Sequence, residues 1–77
     1  MKDIAPDELY KIIGRNVAKY RREKNISQLD LSLQMGYKSV SVVSGAEIFY
    51  KKKHFNIIHL VKISQILNVD ISEFLKP

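Results

Sequence analysis

Residues 26–47 read Ile-Ser-Gln-Leu-Asp-Leu-Ser-Leu-Gln-Met-Gly-Tyr-Lys-Ser-Val-Ser-Val-Val-Ser-Gly-Ala-Glu, and this stretch decides the fold. Ser27 is a good helix N-cap, and Asp30 three residues on gives a capping-box-like pair. A short amphipathic helix then runs over residues 28–35 with Leu31 and Met35 inward, and Gly36 stops it. After a short polar turn, a second helix starts near Ser39 and reaches at least Glu47, with nearly all its outward positions small. It is poor by propensity, because Val40, Val42 and Val43 are β-branched and Gly45 costs about 1 kcal/mol against alanine. Residues 39–44 taken alone also read as a strand, but the chain offers no second strand to pair with them.

Working outward, Pro6 suits the first turn of a helix, with Asp7 and Glu8 beside its positive end. Leu9, Ile13, Val17 and Tyr20 recur every three or four residues as one apolar face, opposite Lys11, Arg15, Lys19, Arg22 and Lys24. Helix 1 is therefore expected over residues 7–24, ended by Asn25 in the left-handed conformation. Residues 49–55 form a loop with three consecutive lysines. Helix 4 spans residues 56–67, with Ile57, Leu60, Ile63, Ile66 and Leu67 on its face, and Asn68 ends it. Asp70 and Glu73 make a second capping pair that opens a short helix 5 over residues 71–75. Phe74 and Leu75 then close the core.

Seventy-seven residues make one domain, expected over residues 1–77 with residues 1–6 as a short extension. A domain of this size buries only about 60–65% of its unfolded surface, so pairing with a copy of itself helps stability. The chain has no cysteine, which excludes disulfides and thiolate metal sites and suits a reducing cytoplasm. His54 and His59, five apart, do not stack on one helix face, so no metal is expected. No nucleophile–base pair or phosphate-cradling glycine loop is visible; the chain reads as a non-enzyme without a cofactor. The formal net charge of +5 favours polyanions, nucleic acid first. No apolar run approaches the ~20 residues that span a bilayer, and the acidic N-terminus is not a signal peptide. Two short helices joined as in residues 26–47 form the helix-turn-helix hand, whose second helix lies in the DNA major groove.

Four pieces strengthen that reading. Ile13-Gly14 is followed by Val17-Ala18-Lys19-Tyr20-Arg21, then by Ile26-Ser27-Gln28-Leu29-Asp30-Leu31-Ser32. Val43-Ser44-Gly45-Ala46-Glu47 comes next, and Leu60-Val61-Lys62-Ile63-Ser64-Gln65-Ile66-Leu67-Asn68-Val69 closes the series. In this order and at this spacing, over about residues 13–75, they resemble the Cro/repressor-type (Xre-like) helix-turn-helix family. The resemblance implies an all-α fold: a compact five-helix lambda-repressor-like domain with the helix-turn-helix in helices 2 and 3. At this length it is similar to single-domain members: Cro-like phage regulators, restriction–modification controller proteins and some antitoxins. There are departures. The interval from Gly36 to Glu47 is one residue longer than the common pattern, which places an extra residue at Tyr37-Lys38. Ile48-Phe49 stand where the family has Asn-Gly or similar, so helix 3 either stops there or extends toward Tyr50. Leu29 and Leu33 occupy usually polar positions four apart on one exposed face.

The resemblance also assigns roles. Gln28, at the start of helix 2, would abut a phosphate, the alternative being a surface residue chosen for helix propensity. Lys38, Ser39, Val40, Ser41, Ser44 and Gly45 are the candidate base-reading positions, or else a solvated helix face. None is Arg, Asn or Gln, so direct readout is expected to be modest, with more weight on DNA shape. Tyr37, Lys51, Lys52, Lys53 and His54 read as DNA-backbone contacts, or as a solvated loop. If a dimer neutralises about six to eight phosphates, affinity falls with log salt at a slope of roughly −5 to −7. Arg15 and Lys19 read as solvent-facing. Arg21 and Glu47 are expected to pair and fix the hand's orientation. Ile58, Val61, Ile66 and Phe74 widen the apolar face of the last helices and suggest a two-fold dimer interface. The leading expectation is a cytoplasmic homodimeric regulator, most readily a repressor, that recognises a two-fold symmetric operator in double-stranded DNA. The alternatives are an antitoxin-type module that holds a protein partner through Leu29 and Leu33, and a largely nonspecific nucleic-acid binder. A membrane-surface protein ranks last.

Overall fold

The structure is a computed structural model and describes residues 3–77. Four α-helices follow one another: α1 (Pro6–Glu23), α2 (Gln28–Gln34), α3 (Ser41–Glu47) and α4 (Ile57–Leu67). Two short 3-10 segments complete the order, Tyr50–Lys52 between α3 and α4 and Ile71–Leu75 after α4. The expected fifth α-helix is thus a 3-10 helix, and the expected plain loop at 49–55 holds a single 3-10 turn. Asp70 caps the last segment through Ser72, whose backbone N–H and hydroxyl both donate to Asp70 Oδ1; Glu73 is not its side-chain partner. These two bonds hold the Asp70 carboxyl below the ordinary range. Among the described residues no strand forms, and no helix is long and apolar enough to cross a membrane.

Three of the helices end the same way. Asn25, Gly36 and Asn68 adopt positive φ of 57°, 100° and 53°. In each case the following N–H reaches five residues back: Ile26 to Arg21 O, Tyr37 to Ser32 O, and Val69 to Ser64 O, at 3.0–3.1 Å. This wrap satisfies carbonyls that a helix end leaves without partners. It also turns Ile26, Tyr37 and Val69 inward, where each packs against the core. A left-handed residue followed by an apolar one therefore stops the helix and plugs the core beneath it.

The core gathers Ile13 and Val17 from α1, Leu31 from α2 with Met35 at its C-cap, Val43 and Ala46 from α3, Phe55 ahead of α4, Leu60, Ile63 and Leu67 from α4, and Phe74. Phe55 and Phe74 are among its largest fully buried side chains, and burial of each contributes about 1.5–3 kcal/mol. Two expectations change here. Ile57 was expected on the inner face of α4 but is 67% exposed, because the helix begins there and its first turn overhangs the core. Phe74 was expected both to close the core and to join a dimer surface; it is fully buried in this chain's own core, with Tyr20 packed edge-on at 6.0 Å. Asn16 holds the segment in place by donating to Phe74 O at 2.8 Å and Lys76 O at 2.7 Å.

Gly14 positions α3. A Cβ at this glycine would stand 2.6 Å from the backbone carbonyl oxygens of both Ala46 and Glu47. No side chain fits there, so α1 crosses the end of α3 with backbone against backbone.

Candidate nucleic-acid interface

The hand formed by α2 and α3 is fastened at both ends. At the turn, Ser32 is completely buried and its hydroxyl donates to Ser39 O. Sequence reasoning did not single out Ser32. Its signal was a hydroxyl at a packed helix position. Ser39 Oγ also lies 3.0 Å from Ser41 Oγ. Val40 serves as the N-cap without a side-chain bond, so α3 starts at Ser41 rather than Ser39.

At the far end, one carboxylate ties the hand to the body. Arg21 Nε donates to Glu47 Oε2 at 2.7 Å and Arg21 Nη2 to Glu47 Oε1 at 3.1 Å. Gln28 Nε2 donates to the same Oε1 at 2.8 Å. Arg21 Nη1 further donates to Ile26 O at 2.9 Å. Glu47 thus joins α1, α2 and α3, and the side chains of the ion pair are 9% and 3% exposed. Bidentate pairing of this kind fixes relative orientation as well as distance. Gln28, expected to lie against a phosphate, is half-buried and has one amide hydrogen engaged by Glu47.

α3 buries Val43, Ala46 and Glu47, and turns Ser41, Ser44 and Ile48 outward. Ser41 is exposed, Ser44 half-buried, and Ile48 is 73% exposed. Lys38, Ser39 and Val40 precede this stripe and are exposed as well. Gly45 is different: it is buried under the alkyl stem of Lys53 and presents nothing of its own.

The helix stops at Glu47, and the extension toward Tyr50 does not form. Phe49, Lys51 and Lys52 all take left-handed backbone, with φ of 56°, 50° and 65°. Non-glycine residues rarely adopt this region. An aromatic cluster holds the segment: the His54 ring stacks on Tyr10 at 3.8 Å, and the Phe49 ring lies near-parallel to Tyr10 at 6.2 Å. Tyr10 was not anticipated, because its position in α1 reads as ordinary helix surface. Lys51, Lys52, Lys53 and His54 are all exposed. Lys52 Nζ lies 3.8 Å from Asp7, an open surface pair that is worth little.

Tyr37, expected at the DNA backbone, is half-buried instead, and its hydroxyl lies 2.9 Å from His59 Nε2. His59 Nδ1 accepts from Asn56 N–H while Asn56 caps α4 in return. Burial, aided by Lys62 and His54, lowers the His59 pKa below its ordinary value of 6.5. No group of three or more metal-ligating side chains occurs among the described residues. On α4, Ile58 and Val61 are exposed, whereas Ile66 packs partly against the core. Leu29 and Leu33 on α2 are 47% and 51% exposed.

A model of the helix-turn-helix family matches residues 17–74. Among curated proteins no match is found. Among solved structures, the chain is similar to the hypothetical transcription factor NHTF from Neisseria, at 24% identity and a TM-score of 0.77, covering 97% of this chain and 84% of that one. It is similar to the restriction-modification controller protein C.AhdI from Aeromonas hydrophila, at 22% identity and a TM-score of 0.73, covering 84% and 94%. It is also similar to SinR, known from Bacillus subtilis, in the structure of that master regulator for biofilm formation in complex with DNA. That match has 30% identity and a TM-score of 0.70, covering 83% of this chain and 98% of the solved one. With the motif, the fastened hand and the family match together, the chain belongs to the helix-turn-helix family of DNA-binding transcription regulators, in its Cro/repressor-type (Xre-like) form.

Proposed function

We propose that this protein is a homodimeric, sequence-specific binder of double-stranded DNA that acts as a transcriptional repressor, with α3 in the major groove. The observation that carries this reading is the stripe of Ser41, Ser44 and Ile48. A buried ion pair and a backbone crossing hold it rigidly, and Lys38 and Lys51–Lys53 flank it. Rigid presentation matters because base contacts require fixed geometry, while the lysines supply salt-dependent attraction to phosphates. The family membership and the likeness to DNA-bound SinR support it. Repression is the simplest output, since occupying a promoter already blocks it.

Ile58 and Val61, three apart and exposed on α4, are the dimer-surface residues this reading uses. Two copies would then face half-sites about one helical turn apart. Selection from a random duplex pool is the test. Enrichment of a two-fold symmetric sequence is expected, and failure to enrich any sequence sinks the reading. Val61→Glu should halve the sedimenting mass without unfolding the chain.

A second reading has one observation in its favour. Leu29 and Leu33 form an exposed apolar pair on α2, which suits a protein partner of the antitoxin–toxin kind. Leu29→Asp with Leu33→Asp should leave DNA binding by the free chain intact under the leading reading. Loss of a co-purifying partner in that variant would favour the second.

A further inference from the structure

The geometry points to Lys53 as a base-reading residue: its alkyl stem lies in the seat left open by Gly45 on α3, and its side chain remains exposed beside Tyr50. This assignment rests on the proposed DNA-binding function and names a specificity-determining side chain for it.

A Cβ at Gly45 would stand 2.7 Å from Lys53 Cδ, 3.6 Å from its Cβ and 3.8 Å from its Cγ. Three consecutive stem carbons therefore run over this one helical position. Gly45 lies four residues from Ser41 and next to Ser44, on the side of the helix the serines occupy, yet it is buried while Ser41 is exposed. Lys53 covers it.

Two shallow depressions flank the stem. Val42, Ala46 and His54 help line one; Ser44, Ile48 and Tyr50 help line the other; Ser41 and Lys53 border both. The Lys53 ammonium lies 5.9 Å from the Tyr50 ring centroid. That ring is itself about half-exposed, so the ammonium remains at the surface.

The left-handed run at Phe49, Lys51 and Lys52 explains how a residue six positions past the helix returns to lie on it. The chain reverses within a few residues and folds back along α3. A glycine inside a seven-residue helix is otherwise a loss of about 1 kcal/mol with no return. Here it makes room.

The chemistry follows. The outward residues of α3 are serines and an isoleucine, none with the reach or donor set of Arg, Lys, Asn or Gln. The Lys53 side chain borders the depression that these residues line, and its ammonium supplies three donors; in the major groove the acceptors N7 and O6 of guanine suit it. The bulkiest reader of this hand thus comes from the loop rather than from the helix.

The test is duplex selection with the wild-type chain, Lys53→Ala and Gly45→Ala, each checked for its helical circular-dichroism spectrum. The wild type is expected to select a guanine at one position of each half-site. Lys53→Ala should reduce discrimination at that position about 5- to 100-fold while leaving the others. Gly45→Ala adds no donor or acceptor, yet its methyl displaces the stem and should blur the same position. If Lys53→Ala keeps every base preference and lowers only the salt slope by about 1, Lys53 is a phosphate contact and the assignment falls. If Gly45→Ala selects as the wild type does, the seat is not used and the assignment falls as well. If the wild type itself selects nothing, the proposed function fails first, a result distinct from either.

Discussion

α1, α2 and α4 end in one fashion, and α3 ends in another. The first three stop at Asn25, Gly36 and Asn68, then drop Ile26, Tyr37 and Val69 onto the core. α3 stops at Glu47 and puts Ile48 into solvent, and the left-handed positions that follow fall on a phenylalanine and two lysines. The scaffold helices are thus ended by backbone chemistry that local residues favour. α3 is ended by side-chain chemistry from elsewhere: Arg21 and Gln28 on Glu47, Tyr10 beside His54 and Phe49. The lesson is that local sequence governs the frame, whereas long-range contacts govern α3 and the segment that follows it.

The strongest way to break this contrast is Glu47→Ala. It leaves the Arg21 guanidinium buried without its partner and should cost about 3–5 kcal/mol in urea unfolding. A loss under about 1 kcal/mol would mean the far end of α3 is held by packing alone. Next is Gly36→Ala. Nothing lies within 4 Å of the position a Cβ would take, so the cost is purely that of left-handed backbone, about 1–2 kcal/mol in the same assay.

Lys52→Gly sharpens the contrast by running in the opposite direction. Glycine removes the left-handed penalty at φ 65° and should raise stability by about 0.5 kcal/mol, after its own entropy cost. Asn25→Ala should lower it by about 1 kcal/mol. Equal signs for the two would show that the loop is as locally encoded as the helix ends.

The smallest expected effect is a pH dependence at Tyr37, the plug of α2. His59 touches the Tyr37 hydroxyl, and its pKa is lowered chiefly by burial. The unfolded chain therefore binds the proton first as pH falls, so the folded state loses stability relative to it. The contribution is whole above about 6.5 and declines below that value, toward the lowered folded pKa. Tm measured from pH 8 to pH 5 should show this decline, and His59→Gln should flatten it.

Much of the frame was legible for a physical reason. Ser27, Gly36, Asn25 and Asn68 act on backbone within five residues, so their effect is local and readable. The start of α3 was misplaced because Val40 caps it without a side-chain bond, leaving no residue-type signal. Phe49 in left-handed backbone was not readable at all, since its support comes from Tyr10, thirty-nine positions earlier in the chain. Phe74 reads both as core and as dimer surface, because periodicity marks an apolar face without saying which molecule covers it. Gly45 was read as a groove contact, whereas the structure makes it a seat, and only the return of Lys53 reveals that.

The outward stripe of α3 has a consequence for how such a protein changes over generations. Ser41 and Ile48 are exposed and carry no part of the core, while Gly14, Arg21 and Glu47 hold the helix from behind. Substitutions at such surface sites usually move stability by no more than about 0.5 kcal/mol. Under the proposed function, the surface that would meet DNA is therefore separable from the body that carries it, and single substitutions there leave folding untouched.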